Sequence, residues 1–276
     1  MRSKGALLVF LAASCGGGAF PETDTEAGLT ICANTTVEGV DVSRWDGTVD
    51  RAAVRSAGIA FAIARVSDGL AYPDSSFDAN WAAIKAHGIV RGSYQYFEPA
   101  QDPIAQANLV LQRVGALGPG DLPPALDIET MGGLTSAALA ASMAQWIERI
   151  RFATGRRPIV YTSPAFWSAL GNANVAADLW VANWAVTCPS VPGPFASWKL
   201  WQYSATGSVS GIAGMADRSR FNGSLAELFA WAGSGSQPDA GPGPSTTPAT
   251  GCSSGAVGPS ALALLMFARR RRRLCQ

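Results

Sequence analysis

The sequence predicts an α/β fold: an irregular (β/α)8-like barrel forming a single catalytic domain, with thinned helices in the second half. Short apolar runs alternate with segments of helical periodicity, which is typical of a mostly parallel sheet. About eight such runs are present, the number that suggests a closed barrel. The chain of 276 residues is 48% hydrophobic, enough for one sizeable core of this type.

The predicted elements follow one another in a regular order. The candidate strands are Glu38–Val42, Ile59–Val66, Ile89–Phe97, Pro124–Ile128, Pro158–Tyr161, Leu179–Asn183 and Lys199–Tyr203, with an eighth near Ile212–Asp217. Helical periodicity appears in residues 49–57, 76–87, 102–116 and 135–153. Thr135 or Ser136 is expected to cap the last helix and Gly155 to close it. The helical pattern fades after residue 170, so an irregular second half is expected.

Composition excludes several classes of function. The formal net charge is +1, and much of the positive charge lies at the termini, so the central part offers no basic face for nucleic acid. His87 is the only histidine, whereas zinc hydrolases and Ser-His or Cys-His hydrolases need histidine ligands or bases. His87 precedes Gly88 and is expected in the last turn of a helix. Carboxylates are therefore the candidate acids and bases, and no metal or cofactor is predicted.

Two acids end the most informative strand, in the segment Pro123-Pro-Ala-Leu-Asp-Ile-Glu-Thr130. Asp127 and Glu129 point to the same side because side chains alternate along a strand, and their α-carbons are ~6.6 Å apart. Two acids this close do not both ionise freely, so one keeps its proton to a higher pH. Glycoside hydrolysis requires such a pair. A metal site, a cap or a solvated strand edge are the alternatives for this motif alone.

Further acids and aromatic residues fall at other strand ends. Asp41 ends the first strand and Asp217 lies near the last, and barrel active sites form at the carboxyl ends of strands. The first, fourth and eighth strands are therefore expected to aim four carboxylates at one mouth. Aromatic rings recur at similar positions and favour a sugar-binding cleft: Tyr94, Tyr96, Phe97, Tyr161, Trp180, Trp184, Trp201 and Tyr203.

Both termini carry patterns of export and sorting. Residues 1–15 combine a basic and an apolar region, as export signals do, and Leu11-Ala-Ala-Ser-Cys15 resembles a lipoprotein cleavage box with Cys15 as the lipidated residue. Ordinary secretory cleavage nearby is the alternative. The sequence predicts that residues 16–35 form a flexible tether and that residues 232–251, rich in Gly, Pro and Ser, form a linker. In residues 252–276, the order of Cys252, an apolar stretch and an arginine cluster resembles myxobacterial-type C-terminal sorting signals, with a plain membrane tail as the alternative.

The cysteines fit an exported protein. Cys32 and Cys188 lie at the two ends of the central domain, and an exported protein meets an oxidising compartment, so a disulfide between them is expected. The expected location is the bacterial cell envelope, the cell surface or the medium.

The central residues, about 36–231, resemble glycoside hydrolase family 25, the family of fungal, streptomycete and phage muramidases. The resemblance begins with Gly39-Val-Asp-Val-Ser-Arg-Trp-Asp-Gly47, Phe61-Ala-Ile-Ala-Arg-Val-Ser-Asp-Gly69 and Gly92-Ser-Tyr-Gln-Tyr-Phe97. It continues with Asp127-Ile-Glu129, Pro158-Ile-Val-Tyr-Thr162, Leu179-Trp-Val-Ala-Asn-Trp184, Trp201-Gln-Tyr203 and Asp217-Arg-Ser-Arg-Phe-Asn222. The order of these segments makes the resemblance specific. The family often has Gln at position 46, His at 95 and Tyr at 184, and the last two differences concern subsite preference.

The resemblance implies a muramidase that hydrolyses the β-1,4 bond between N-acetylmuramic acid and N-acetylglucosamine. Glu129 would be the general acid, and Asp127 would orient the substrate's 2-acetamido group, with a direct carboxylate nucleophile as the other mechanism. Asp41 and Asp217 would hold and tune the site. The implied substrate-binding residues are Tyr94, Tyr96, Tyr161, Trp184, Trp201, Gln202 and Tyr203. Peptidoglycan strands would be the partner of a monomer attached to the membrane by its terminal segments. A non-catalytic peptidoglycan-binding protein and a chitinase or other hexosaminidase are the alternatives.

Overall fold

The computed structural model describes residues 28–233, which form a closed eight-stranded barrel with helices around it. The barrel strands run in the order β2, β11, β10, β8, β7, β6, β5 and β3, and β2 pairs with β3 to close the ring. Their bounds are Thr36–Val42 (β2), Phe61–Asp68 (β3), Val90–Tyr96 (β5), Ala125–Asp127 (β6), Ile159–Thr162 (β7), Asp178–Ala182 (β8), Leu200–Gly207 (β10) and Ala216–Asn222 (β11). The predicted fold class is confirmed.

Six α-helices, one 3-10 helix (Arg44–Asp46) and three short strands complete this part of the chain. The helices are Arg51–Ser56 (α1), Phe77–Ala86 (α2), Pro103–Val114 (α3), Ser136–Thr154 (α4), Pro164–Ala169 (α5) and Leu225–Trp231 (α6). The short strands are Leu29–Thr30 (β1), Tyr72–Pro73 (β4) and Ser190–Val191 (β9). Between α5 and α6 the described chain has no α-helix, as expected for the second half. Within residues 28–233, no helix is long and apolar enough to cross a bilayer.

Local signals explain the ends of the helices. The Thr135 side chain accepts a hydrogen bond from the Ala138 amide at the start of α4, and Gly155 closes that helix with a φ of +65°. Left-handed backbone of this kind favours glycine. His87 is the residue that ends α2, and its Nδ1 lies 2.8 Å from the Ala83 carbonyl. It therefore takes part in a helix terminus, as its place before Gly88 predicts.

The barrel encloses one apolar cluster, and a second lies between the barrel and the helices. The inner cluster includes Phe61, Ile63 and Trp180, whereas Val40, Val42 and Leu126 alternate with inward residues and pack outward. The Phe61 ring packs over Gly39 of the neighbouring strand β2, where an added Cβ would overlap the ring. A packed interior leaves the ends of the strands as the places where polar side chains can gather.

The last barrel strand differs from the prediction. The expected strand near Ile212–Asp217 is wrong in its bounds, because β11 spans Ala216–Asn222 and runs antiparallel to both β10 and β2. Its outward residues Arg218 and Arg220 bind Glu38 at 2.7 and 2.9 Å. This strand therefore lacks the apolar run that marks a parallel strand buried on both faces.

Candidate active site

The acids meet at the mouth formed by the carboxyl ends of the parallel strands. Asp41, near the end of β2, lies opposite Asp217 at the start of β11, which reaches the same level because β11 runs antiparallel. Asp127, at the end of β6, lies between Tyr96 of β5 and Tyr161 of β7 in the register. Residues that face each other on neighbouring strands share one face of the sheet, and Tyr161 belongs to the inner cluster. These side chains therefore point to the inside of the mouth.

A buried glutamine links the two sides of this mouth. Gln202 of β10 donates from Nε2 to Asp41 Oδ2 at 2.8 Å. Its Oε1 accepts from the Tyr161 hydroxyl at 2.8 Å and from Trp184 Nε1 at 3.2 Å. The amide is thereby fixed in one orientation, because its donor and acceptor sides have different partners.

Three carboxylates lie within electrostatic reach of the Tyr161 hydroxyl. Its side chain is fully buried, and burial is the largest cause that raises the pKa of its hydroxyl well above the ordinary value. The negative charges of Asp127, Asp41 and Asp217 raise that pKa further, in this order. A phenol whose anion faces three carboxylates keeps its proton and stays a hydrogen-bond donor.

Glu129 lies two residues beyond the end of β6 and is half-buried. The Ile128 amide donates to the Tyr161 carbonyl at 3.0 Å, so the ladder continues past Asp127, and the Ile128 side chain packs in the outer cluster. Alternation then directs Glu129 to the side of Asp127. Gly132 closes the following loop against Pro99, where an added Cβ would lie 2.8 Å from Pro99 Cβ.

Aromatic rings line the inner wall below the acids. Trp180 packs edge-on against Tyr161 and Tyr94, with ring centroids 4.7 and 6.3 Å apart, and its Nε1 donates to Ser219 Oγ at 3.1 Å. Trp184 follows β8 at the rim and is 41% exposed. The rim therefore offers an open aromatic face that is joined to the acids through Gln202.

Two aromatic residues expected at the cleft lie elsewhere. Trp201 and Tyr203 flank the inward Gln202 on β10, so alternation turns them to the outer face of the barrel. There Trp201 is buried beside Trp198, and the Tyr203 hydroxyl donates to Glu38 Oε2 at 2.6 Å. The assignment of Trp201 and Tyr203 to the sugar cleft is therefore corrected.

Gln95 also lies outside the mouth. It points outward from β5, donates to Ser67 Oγ at 3.0 Å and accepts from Trp146 Nε1 of α4 at 2.9 Å. It holds the strand to the helix layer, so the difference from the family at this position concerns packing.

Sequence reasoning missed a second pair of acids near the mouth. Asp68 ends β3 in register with Tyr96, and its side chain hydrogen-bonds that of Glu98 just beyond β5. Burial is the main cause that raises the pKa of Asp68, and burial followed by the charge of Asp68 raises the pKa of Glu98. A hydrogen bond between two carboxyls requires one shared proton. The position of Asp68 at a strand end was the available signal.

The cysteines of the central part are joined. Cys32 and Cys188 form a disulfide with α-carbons 4.9 Å apart, next to the β1–β9 pair. Cys15 and Cys252, the lipidation and sorting candidates, lie outside the described residues, as do the export signal and the C-terminal segment. Residues 28–233 contain no group of three or more His, Cys, Asp or Glu placed to hold a metal ion.

Comparison with known proteins gives one consistent family. The model of the glycosyl hydrolases family 25 matches residues 40–212. The chain is similar to "Lysozyme M1" of Streptomyces globisporus, with 38% identity over 209 residues that cover 71% of each chain. It is also similar to an N,O-diacetylmuramidase of Chalaropsis sp, with 32% identity over 66% of this chain and 96% of that protein.

Solved structures agree with these relatives. A bacterial lysozyme from Streptomyces coelicolor has a TM-score of 0.69 and 35% identity, covering 74% of this chain and 100% of that chain. A family GH25 lysozyme from Aspergillus fumigatus has a TM-score of 0.66 and 26% identity, covering 72% and 99%.

Proposed function

Since the chain belongs to glycosyl hydrolase family 25, we propose that the acids at its barrel mouth cleave the β-1,4 bond between N-acetylmuramic acid and N-acetylglucosamine. The protein is a peptidoglycan hydrolase of the lysozyme type. The arrangement of Asp41, Asp127 and Asp217 around the Tyr161 hydroxyl is the observation that carries the assignment of the site. Non-catalytic wall binding and chitin hydrolysis are not favoured, because the relatives with a named activity that are described above are a lysozyme and a muramidase.

The first step breaks the glycosidic bond. Glu129 donates its proton to the leaving oxygen, and the carbonyl oxygen of the substrate's own 2-acetamido group attacks the anomeric carbon. Asp127 accepts a hydrogen bond from the acetamido N–H and stabilises the positive charge that develops on the cyclic intermediate. The departing sugar leaves with the proton of Glu129, so charge and atoms balance.

The second step adds water to the intermediate. Glu129, now a carboxylate, takes a proton from water as the water oxygen bonds to the anomeric carbon and the acetamido oxygen leaves. Two displacements at the same carbon retain its configuration, as expected for carboxyl groups that lie close together. Direct attack by Asp127 would also retain configuration, so the two mechanisms differ only in the nature of the intermediate.

Gln202 and Tyr161 keep the site in its working geometry. Tyr161 stays protonated because burial and the nearby acids raise its pKa. Its hydroxyl therefore remains the donor to Gln202, and Gln202 in turn donates to Asp41. Asp41 and Asp217 add negative charge opposite Asp127, which stabilises the cationic transition state.

Substitution of Glu129 by Gln tests the assignment. The change keeps the size of the side chain and removes the proton donor, so turnover of purified peptidoglycan should fall by about 10²–10⁴-fold. Release of reducing sugar is the measurement. Glu148→Gln is the matched control, because Glu148 is 56% exposed on α4 and pairs with Arg151 of the next turn. Near-normal turnover by the Glu129 variant would reject its role.

A second substrate separates the sugar specificities. Purified peptidoglycan and chitin are digested side by side with the same enzyme preparation. We expect soluble muropeptides from peptidoglycan and no release from chitin. Efficient release of soluble sugar from chitin would change the assigned substrate class but not the assignment of Asp127 and Glu129 as the catalytic acids.

We also propose that the protein is exported to the cell envelope and acts as a monomer. Residues 1–15 have the pattern of an export signal, residues 252–276 that of a sorting segment, and the Cys32–Cys188 disulfide suits an oxidising compartment. Mass spectrometry of the mature protein should find a new N-terminus or a lipidated Cys15. An unmodified chain that begins at Met1 would contradict the export proposal.

A further inference from the structure

A cavity of about 430 Å³ lies at the opposite end of the barrel from the acids. It opens where β8 and β10 begin, and barrel active sites form at the other ends of the strands. Its volume is in the range of small-molecule sites. The polar and aromatic residues that define its chemistry are Arg157, Asn174, Asp178, Phe195, Lys199 and Asn222.

The lining of the cavity contains two cationic side chains, Arg157 and Lys199, and one carboxylate, Asp178. Arg157 Nε lies 3.4 Å from Asp178 Oδ1, and its Nη2 donates to the Ala177 carbonyl at 2.8 Å, so these two opposite charges offset each other. Lys199 has an exposed side chain, and no carboxylate of residues 28–233 lies within ion-pair distance of its Nζ. Its ammonium is 6.0 Å from the centre of the Trp231 ring and acts on Asp178 and Glu227 only through longer-range charge interactions, so its N–H donors can bind an anion in the cavity.

Neutral polar groups and an aromatic ring surround this ammonium. The Asn222 side chain is held by donating to the Trp198 carbonyl at 3.0 Å, and Asn174 adds an exposed amide. Phe195 packs against Trp167 with ring centroids 5.2 Å apart and forms part of the lining. Amides suit the hydroxyl and acetamido groups of a sugar, an aromatic ring suits its apolar face, and an ammonium suits a carboxylate.

We propose that this cavity binds a carboxylate-bearing amino sugar, such as the muramyl unit of peptidoglycan, independently of the active site. The identity of the ligand rests on the proposed function, which supplies a polymer that carries both amino sugars and carboxylates. A second contact at the far end of the barrel keeps the enzyme on an insoluble wall between cleavage events, because linked binding sites raise the effective concentration of substrate.

Two sugars that differ in one group test the proposal. N-acetylmuramic acid carries a lactyl carboxylate that N-acetylglucosamine lacks. Each is titrated into the full chain carrying Glu129→Gln, and the NMR amide signals of Asn174, Lys199 and Asn222 are followed. These signals should shift with N-acetylmuramic acid at an affinity about tenfold higher than with N-acetylglucosamine, since a charge-assisted hydrogen bond is lost with the latter.

Variants of Lys199 assign the effect to this ammonium. Lys199→Gln should weaken the binding of N-acetylmuramic acid at these signals by about tenfold, and Lys199→Arg should preserve it. Arg55→Gln removes the same charge from α1, outside the cavity lining, and should leave the affinity unchanged. Equal affinity for the two sugars, or an unchanged affinity in Lys199→Gln, would overturn the proposal. Because binding is read at the cavity, the result does not depend on whether the mouth hydrolyses peptidoglycan.

Discussion

Asp127 is held on both sides by the backbone of its neighbours. It lies between Tyr96 and Tyr161 in the register, and its own carbonyl accepts from the Phe97 amide at 2.8 Å. The carboxylate is therefore carried by a segment whose backbone is hydrogen-bonded to both neighbouring strands. Such a fixed group suits the orientation of a substrate amide, because a preorganised partner needs no rearrangement as charge develops.

Asp127→Asn should therefore reduce turnover of peptidoglycan by about 10²–10³-fold, since the amide cannot balance the charge of the cyclic intermediate. De-N-acetylated peptidoglycan should be hydrolysed poorly by the wild-type enzyme, because it lacks the attacking acetamido oxygen. The measurements are rates of reducing-sugar release and NMR of the first-formed product anomer, which should retain its configuration.

Other results would change the mechanism. Unchanged kinetics for Asp127→Asn would reject the paired roles of the two acids. Inversion at the anomeric carbon would reject both retaining mechanisms. Efficient cleavage of de-N-acetylated glycan with retention would favour Asp127 as a direct nucleophile.

Individual residues show where sequence reasoning succeeds. The acids were found because strand ends are readable from short apolar runs, and barrel topology then places those ends together. The sequence did not indicate which side of the barrel the aromatic side chains of β10 point to. Trp201, Gln202 and Tyr203 lie on a strand that is covered on both faces, so the sequence lacks the polar–apolar alternation that would assign each side.

The loop between β8 and β9 carries Trp184 and depends on long-range contacts. The Asn183 carbonyl accepts from Trp201 Nε1 at 2.7 Å, and its side chain accepts from the Ser190 amide at 2.9 Å. The disulfide of Cys188 joins the end of this loop to the segment after β1. The rim of the cleft is therefore stabilised by residues far from it in the sequence.

Loss of the disulfide should destabilise the protein and loosen this loop. The bond closes a long segment, with a sequence separation of 156 residues, so its removal should lower the free energy of unfolding by about 2–5 kcal/mol. Thermal unfolding of the wild-type protein with and without reductant is the measurement. KM for peptidoglycan should rise more than kcat falls. Trp184 lies in the loop that the disulfide holds, whereas the acids lie at the ends of the barrel strands.

The double variant Cys32→Ser/Cys188→Ser supplies the control. It should unfold at the temperature of the reduced wild-type protein, and reductant should not change that temperature. An equal unfolding temperature for the oxidised and reduced wild-type protein would contradict a stabilising role.

At the scale of the whole molecule, alternation of strands and helices was enough to predict the barrel but not the direction of its last strand. Seven barrel strands run parallel to one another, whereas β11 runs in the opposite direction. The start of β11 therefore lies at the mouth, and Asp217 lies there with it. Its outward arginines pair with Glu38 across more than 170 positions of sequence. No pattern of neighbouring residues in the sequence indicates such a contact, so it is seen only in the folded structure.

The end of the barrel opposite the acids contains a buried carboxylate with several cationic partners. Asp121 binds Arg91 at 2.6 Å and Lys85 at 3.1 Å, and its side chain is fully shielded from solvent. Burial alone would raise the pKa of Asp121, but hydrogen bonds from Arg91, the Gly118 amide and Lys85 outweigh burial and lower it below the ordinary value of 3.8. The ionised form is therefore favoured by folding.

This lowered pKa predicts a loss of stability in acid. A carboxylate with a depressed folded pKa contributes its full stabilisation above the unfolded value, here near 3.8, and loses it as the pH falls through the folded value.

Asp121→Asn should lower the free energy of unfolding by about 3 kcal/mol at pH 7, because Arg91 stays buried without its charge partner. The difference from the wild-type protein should shrink as the pH falls below 3.8, because the carboxyl of the unfolded chain takes up its proton there and the native carboxyl follows only at its lower pKa. Urea denaturation at several pH values measures both effects, and Asp78→Asn, which removes an exposed carboxylate paired with Arg113, is the control. A difference that stays constant from pH 7 down to pH 2 would show that Asp121 acts through its shape alone.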